Sequence, residues 1–275
     1  MAGRPCVDSA CFALLLGAFA GCQTTSEDRL HEGDELLFRR DYDGAAKIYE
    51  AVVVESAPDS SDADADGLRI RALMGLAHVR HHFLDDAEGA LRAYRAVMES
   101  APGTTLAFDA RRDTVRLLRD RMGDVEGAVT ELASMIEAYP DRPETPVMRL
   151  ELASLAFRAG QYPVAEAQAR ALIDRPADSA VRREAKLLLG SVQALGGRSE
   201  EALVAFRALL AEPLDAPTQA RVRFEIAMCL ETLGRLDEAV AAYEQARAGA
   251  HDPDVISARA DRARAKSKAK NRPRL

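Results

Sequence analysis

Three histidines with helical spacing are the first residues of this chain that could do chemistry. His78, His81 and His82 are three and four residues apart, so on a helix their rings could converge on one face. Metal sites use such spacing, and Asp85 and Asp86 follow, but no cysteine or closing fourth ligand stands nearby. The alternative is an exposed helix end, where the negative pole of the helix dipole favours histidine. That alternative is favoured, so the sequence predicts no metal site here.

An acidic segment offers a second potential metal site. Asp62, Asp64 and Asp66 alternate within a low-complexity stretch, "ESAPDSSDADADG". An EF-hand loop needs a glycine at its sixth position and a glutamate at its twelfth. Counting from Asp62, the sixth residue is Gly67 but the twelfth is Leu73. The segment is therefore interpreted as a solvated, disordered acidic loop near residues 56–67.

Three arginines form a row that could bind an acidic partner. Arg112, Arg116 and Arg119 are related by i, i+4 and i+7, so a helix over 105–122 presents them on one face. The alternative is a solvated arginine face without a ligand. The row is the candidate partner-binding site of this sequence.

The sequence shows no catalytic motif. A Gly-rich phosphate loop, G-x-S-x-G, C-x-x-C and H-E-x-x-H are all missing from it. The formal charge of −7 gives no overall basic field for nucleic acid. We therefore predict a protein that is not an enzyme, with no cofactor, no small-molecule substrate and no nucleic-acid partner.

Six alanines mark the elements that must position these side chains, and the last four are 37 residues apart. The set is Ala45, Ala90, Ala128, Ala165, Ala202 and Ala239. A small residue lets two helices approach closely, and a residue four positions later lies on the same face. The residues at that later position are Tyr49, Tyr94, Leu132, Ala169, Phe206 and Tyr243. A period in this range indicates stacked supersecondary units.

Glycines and prolines give the ends of the helices in each unit. A glycine stands five residues before each of the last four alanines, at Gly123, Gly160, Gly197 and Gly234. Glycine can adopt the left-handed conformation that ends a helix, and a proline later in each unit closes the second helix. The pattern predicts helix pairs over 105–122 and 124–138, 145–159 and 162–173, 178–195 and 199–211, and 216–232 and 236–248. No stretch alternates long enough to predict a strand.

These residues resemble the tetratricopeptide repeat (TPR) family, with "RFEIAMCLETLGRLDEAVAAYEQA" (Arg223 to Ala246) as the best match. The joint "EAYPDRPETPVMRLELA" (Glu137 to Ala153) is similar to those of bacterial envelope members, such as the lipoprotein of the β-barrel assembly machinery and the periplasmic coordinator of the Tol–Pal system. The resemblance implies an all-α, right-handed α-solenoid of about six helix pairs. It implies a fold more than a function, because the two are separable.

The N-terminus predicts where the protein resides. Arg4 precedes an apolar run, Cys11 to Ala20, that is too short to span a bilayer as a helix and is typical of a signal peptide. The run ends in "FAGC", which resembles a bacterial lipobox with Cys22 as the lipidated residue, although Phe19 stands where leucine is usual. Alternatives are cleavage after Ala20 and a hydrophobic anchor. Residues 1–21 are predicted to be the signal peptide and 22–33 a tether.

The residue after Cys22 bears on which membrane is used. Gln23 is not an aspartate, and by resemblance to the proteobacterial sorting rule it implies the outer membrane, facing the periplasm. With Cys6 and Cys11 in the signal peptide and Cys22 lipidated, only Cys229 remains. We predict that Cys229 is a buried, inert thiol on the apolar side of its helix.

The C-terminus combines a cap with a basic tail. Residues 34–253 are predicted to form the solenoid, and 254–275 a helix that covers the last pair, as the ends of solenoids require. Seven basic residues follow Asp261, beginning at Arg262, and this final part should fray because it has no apolar stripe. The tail either attracts anionic lipid head groups or other acidic partners, or is a solvated tail.

The sequence therefore predicts a lipid-anchored, non-catalytic TPR scaffold in the bacterial envelope. It would hold a protein or peptide partner on the solenoid surface, with a role in outer-membrane assembly or coordination. The alternative is a lipoprotein that organises the envelope through contact of its basic tail with peptidoglycan or anionic lipid.

Overall fold

A computed structural model describes residues 25–56, 63–174 and 178–270 of the 275-residue chain. Within these ranges the chain forms thirteen α-helices and no strand, which confirms the all-α solenoid. No helix of this part is long and apolar enough to cross a bilayer. The helices are α1 Ser26–Phe38, α2 Tyr42–Glu55, α3 Ala63–His82, α4 Ala87–Ser100, α5 Thr105–Leu117, α6 Val125–Ala138, α7 Thr145–Arg158, α8 Tyr162–Asp174, α9 Ser179–Leu195, α10 Ser199–Leu210, α11 Ala216–Thr232, α12 Leu236–Arg247 and α13 Pro253–Lys270.

The helices pack as six consecutive pairs, from α1–α2 to α11–α12, with α13 against α12. All six repeat alanines are fully buried, and the side chains four residues later, from Tyr49 to Tyr243, are buried with them. All eight helices predicted over residues 105–248 are present, with ends that differ by at most one residue except in α5. Helix α5 continues into a π-helical turn, Leu118–Met122, before the left-handed Gly123.

The turn inside each pair uses one left-handed residue, as the glycine pattern predicted. Gly123, Gly160, Gly197 and Gly234 have φ values of 67°, 74°, 79° and 72°. The same position in the first two pairs is held by Arg40 and Asp85, with φ of 65° and 53°. The backbone geometry therefore repeats in all six pairs even though glycine appears in only four.

Aspartates cap the second helix of the first three pairs, a repeat that the sequence reasoning missed. Asp41, Asp86 and Asp124 accept hydrogen bonds from the backbone N–H groups of Gly44, Gly89 and Gly127, at 3.0, 2.8 and 2.8 Å. Each glycine lacks the Cβ that would collide with the capping carboxylate. The cap satisfies an N–H group that the helix cannot satisfy itself.

The N-terminal predictions need two corrections. The predicted tether over 22–33 is too long, because α1 starts at Ser26, with a reciprocal cap between Thr25 and Asp28. The acidic loop near 56–67 was also drawn too long, because α3 begins at Ala63 and includes Asp64 and Asp66. Residues 57–62, the signal peptide and Cys22 lie outside the described residues.

The C-terminal helix is longer than predicted, so the prediction of fraying is wrong as far as Lys270. Ile256, Ala260, Ala263 and Ser267 form a buried stripe of mostly small residues against α12. Polar contacts with the preceding pair hold the end of α13: Ser267 donates to Asp237 at 2.6 Å, and the Lys270 ammonium donates to the Gly234 carbonyl at 3.2 Å. The hydrogen-bond partners of Ser267 and Lys270 lie 30 and 36 residues away in the sequence, so local periodicity could not reveal them.

Candidate partner-binding groove

The first helices of the pairs line one face of the array. Helices α1 and α3, α3 and α5, α7 and α9, and α9 and α11 approach each other closely, whereas no such approach occurs between successive second helices of the described chain. A ribbon in which only the first helices converge curves toward them, so this is the concave face. It carries the cavities described below.

Helices α5 and α7, the first helices of the third and fourth pairs, do not approach each other as closely as α7 and α9 do. A cavity of about 420 Å³ opens there. Its floor comes from Leu132 and Met135 of α6, which are buried, and its walls include Phe108, Val115 and Met148. Val147 stands at its edge and is more than half exposed.

The two walls of this cavity carry opposite charges. Arg112 and Arg116 of α5 lie on one side, and each pairs with an aspartate three residues earlier on its own helix, Asp109 or Asp113, at 2.9 Å. The α7 side holds Glu151 and, just before its first turn, Glu144. Both arginine side chains are about half exposed, whereas Asp113 is buried; the exposed Arg112–Asp109 pair contributes little free energy.

The third predicted arginine has a different position. Arg119 lies in the π-helical turn, where its guanidinium donates to Asp120 at 2.6 Å and to Glu151 of α7 at 2.5 Å. It is the only one of the three that joins α5 to α7 by an ion pair. Arg119 is not among the residues that line the cavity, although its guanidinium contacts Glu151 on the α7 wall. A role for the three in partner binding remains a prediction.

The histidines lie between α3, α4 and α5 rather than at an exposed helix end. His81 is only 6% exposed, and its Nδ1 lies 3.2 Å from the Tyr94 hydroxyl. Burial, reinforced by His82, lowers the pKa of His81 to about 4. The prediction of an exposed helix end is therefore wrong for His81 and holds for His82, whose ring stacks on it at 4.0 Å between centroids.

His78 contacts a buried carboxylate of the next unit. Its Nε2 lies 3.1 Å from Oδ2 of Asp113, whose other oxygen accepts from Arg116. Burial raises the pKa of Asp113, but the His78 hydrogen bond and the neighbouring charges lower it by more, so the net shift is downward. In the described part of the chain no three histidine, cysteine or acidic side chains are grouped so that they could hold a metal ion.

A second cavity of about 380 Å³ lies on the same face between α7, α9 and α11. Phe157, Leu188 and Met228 contribute apolar surface, and Glu225 has its pKa raised by burial, against the opposing charges of Arg221 and Arg259. Cys229 borders this cavity but is 2% exposed, which confirms the predicted buried position. Burial first, and then the Glu225 charge, raise the pKa of its thiol to about 11.

Comparison with known proteins gives the family. The model of the tetratricopeptide repeat-like domain matches residues 67–263, most of the chain. This chain belongs to the tetratricopeptide repeat-like family. A comparison with curated protein sequences finds no match.

Several solved structures share the TPR-like fold. A tetratricopeptide repeat protein from Parabacteroides merdae has a TM-score of 0.56 at 15% identity, over 88% of each chain. MamA protein has a TM-score of 0.53 at 20% identity, over 76% of this chain and 98% of that chain. The C-terminal part of a TPR protein from Cytophaga hutchinsonii has a TM-score of 0.54 at 14% identity, over 80% and 78%. At these identities the likeness shows the fold alone.

Proposed function

We propose that this protein is a lipid-anchored, non-catalytic TPR scaffold of the bacterial envelope that binds a protein partner on its concave face. The observation that supports partner binding is the cavity between α5 and α7, which has an apolar floor and opens on the side where the first helices converge. Concave, mostly apolar sites with a few charged groups are where proteins bind ligands. We favour a partner from outer-membrane assembly or envelope coordination, on the resemblance of the repeat joints.

Sequence features support the lipid anchor. The apolar run Cys11 to Ala20 and the "FAGC" that ends in Cys22 form a lipoprotein signal, and Gln23 favours the outer membrane. Because α1 begins at Ser26, four residues after Cys22, the chain between them could span at most about 14 Å. A lipid on Cys22 would therefore hold the first helix pair close to the bilayer surface.

The anchor is tested by the intact mass of the protein extracted from membranes, beside the Cys22→Ser variant. We expect a mass excess of lipid size that the variant lacks. A mass equal to cleavage after Ala20, or to the uncleaved chain, would remove the lipoprotein part of the proposal.

Partner binding is tested by crosslinking in cells. A photo-crosslinking amino acid replaces Val147 at the cavity or, as a control, Val204 on the second helix α10; both side chains are well exposed. We expect an envelope protein to be crosslinked from position 147 and not from position 204. Equal crosslinking from both positions would contradict a specific concave site.

The alternative function, contact of the basic tail with anionic lipid or peptidoglycan, now depends on fewer residues. Arg264 pairs with Glu244 and Asp261, Lys266 pairs with Glu231, and Lys270 donates to Gly234. Among the described basic residues of the tail, Arg262 and Lys268 remain exposed on the outer side of α13, whereas Arg272 and Arg274 lie outside the described residues.

That alternative is tested without removing the buried stripe of α13. The variant Arg262→Gln/Lys268→Gln keeps the stripe, whereas deletion of the tail from Arg262 would also remove Ala263 and Ser267 from the cap. If the tail binds anionic vesicles, the variant should bind them more weakly than the wild type. Unchanged binding would exclude Arg262 and Lys268 as the residues that carry the contact.

A further inference from the structure

We propose that the cavity between α5 and α7 binds one large apolar side chain of a partner segment that carries an acidic residue on one side of it and a basic residue on the other. This inference rests on the proposed function, because it specifies the chemistry of the partner on the same concave face. It follows from three features of the cavity: its apolar floor, the opposite charges of its walls, and the solvent exposure of the charged side chains on those walls.

The floor requires an apolar ligand group. Leu132 and Met135 close the bottom of the cavity, and no polar side chain of α6 is among its lining residues. A volume of about 420 Å³ falls in the range of roughly 300–1,000 Å³ typical of ligand pockets. A large apolar side chain that enters the cavity is removed from water, which favours its binding.

The α5 wall offers positive charge that is not fully used. The guanidinium groups of Arg112 and Arg116 pair with aspartates of their own helix, but both arginines remain about half exposed. A carboxylate of a ligand can therefore approach either arginine from the groove, although Arg116 is paired with the buried Asp113. Because the Arg112–Asp109 pair is exposed, the free energy lost by sharing it is small.

The α7 wall offers negative charge. Glu144 is exposed and makes no ion pair or side-chain hydrogen bond with any residue that the structure describes. Glu151 is also on this wall but is engaged by Arg119. A wholly acidic segment would meet Glu144, and a wholly basic one would meet Arg112 and Arg116, so a segment with one charge of each sign complements both walls.

The experiment measures binding of four short peptides of equal length to the full chain by fluorescence anisotropy. Three have a central leucine flanked by one aspartate and one lysine, by two aspartates, or by two lysines. The fourth is the mixed-charge peptide with its leucine replaced by alanine. We expect the mixed-charge peptide to bind about fivefold more tightly than either single-sign peptide, and the alanine version about tenfold more weakly than its parent.

Variants of the protein assign these preferences to the cavity. Arg112→Glu/Arg116→Glu makes both walls acidic and should shift the preference to the lysine peptide. Glu144→Arg, a change at an exposed residue, should shift it to the aspartate peptide. The matched control Arg92→Glu/Arg95→Glu reverses two exposed arginines on α4 and should leave the order unchanged. Val147→Trp fills the mouth of the cavity and should weaken the mixed-charge peptide about tenfold.

The outcomes separate this inference from the proposed function. Any of three results would overturn the assignment of the cavity. The alanine peptide could bind as tightly as its leucine parent, or no peptide could bind at all. The α4 control could also alter the peptide preference as much as the α5 variant does. If crosslinking from position 147 still captures an envelope protein in those cases, the proposed function stands and only the partner chemistry is wrong. If no such capture occurs either, partner binding on the concave face falls as well.

Discussion

The ring of Tyr49 lies directly against the backbone of Gly33: a Cβ on Gly33 would lie 2.7 Å from Cε1 of the tyrosine. Gly75 of α3 approaches the same ring from the next pair, where a Cβ would lie 2.9 Å from Cζ. The Tyr49 hydroxyl donates to Asp34 at 2.7 Å, so the ring is held at its tip as well. Two helices of neighbouring pairs thus meet around one side chain of α2.

Gly33→Ala should destabilise the protein even though alanine is the better helix former. The propensity gain is about 1 kcal/mol, whereas overpacking against a fixed ring costs about 1–3 kcal/mol. We expect the free energy of unfolding, measured by urea denaturation, to fall by about 1 kcal/mol. Gly67→Ala on α3 is the control: nothing lies within 4 Å of its Cβ, so it should raise stability by about 0.5–1 kcal/mol. A stabilised Gly33→Ala would show that the ring can move.

Arg40→Gly should stabilise the protein. Arg40 has φ of 65°, at the turn position that four other pairs fill with glycine. A non-glycine residue in this region is disfavoured by about 1–2 kcal/mol, and glycine removes that cost. Because glycine also loses more conformational entropy on folding, part of the gain in stability is offset. We expect a gain of about 0.5–1 kcal/mol in urea denaturation. Arg39→Gly, one residue earlier with φ of −75°, should instead lower stability, and a gain there would mean that the left-handed geometry is not the cause.

The buried His81 should make folding stability depend on pH. Its folded-state pKa of about 4 lies below that of the unfolded chain, near 6.5, so the unfolded chain binds more protons between these values. The contribution of neutral His81 to the free energy of unfolding is fully present above about pH 6.5. It is lost as the pH falls toward 4, and the loss is at most about 3 kcal/mol. The groups that face it are His78 and His82, Asp113, Arg121 and the Tyr94 hydroxyl.

His81→Gln keeps a hydrogen-bonding side chain beside Tyr94 and removes the titration. The variant should lose less stability than the wild type between pH 6.5 and 4, as measured by urea denaturation across that range. His251→Gln, at an exposed position, is the control and should keep the wild-type slope. An unchanged slope in His81→Gln would mean that other groups carry the pH dependence.

Cys229 should not react in the folded protein. Its thiol is buried and has a pKa of about 11, against about 8.5 for a free cysteine, so at neutral pH its thiolate fraction is lower by on the order of 10²-fold. Iodoacetamide should modify it only in denaturant, with the modification read by mass spectrometry. Rapid labelling of native Cys22→Ser protein would show that the cavity bordered by α7, α9 and α11 admits the reagent.

The repeat could be predicted because its determinants are local. Ala128 and Leu132 lie on one helical turn, and Gly123 ends the helix before them, so each of the last four helix pairs is encoded within its own stretch of about 37 residues. The left-handed turns at Arg40 and Asp85 escaped prediction because nothing in those residue types requires positive φ. There the repeated packing, not the residue, imposes the conformation.

The candidate site could be predicted only in part, because it depends on distances between pairs. The spacing of Arg112 and Arg116 correctly placed them on one face of α5, but the cavity beside them exists because α7 stands away from α5. The contact of His78 with Asp113 joins residues 35 positions apart. The π turn that contains Arg119 has no sequence signature that we can identify.

The separation of α5 from α7 also has a mechanical consequence. Helix α6 packs against both, and the joint between the third and fourth pairs is also held by the Arg119–Glu151 ion pair and by the Arg142 guanidinium over the Phe108 ring. Bending of a stacked ribbon concentrates where the fewest elements resist it. Elastic deformation of the array should therefore be greatest at this joint, where a small rotation of the N-terminal half against the C-terminal half would change the width of the opening.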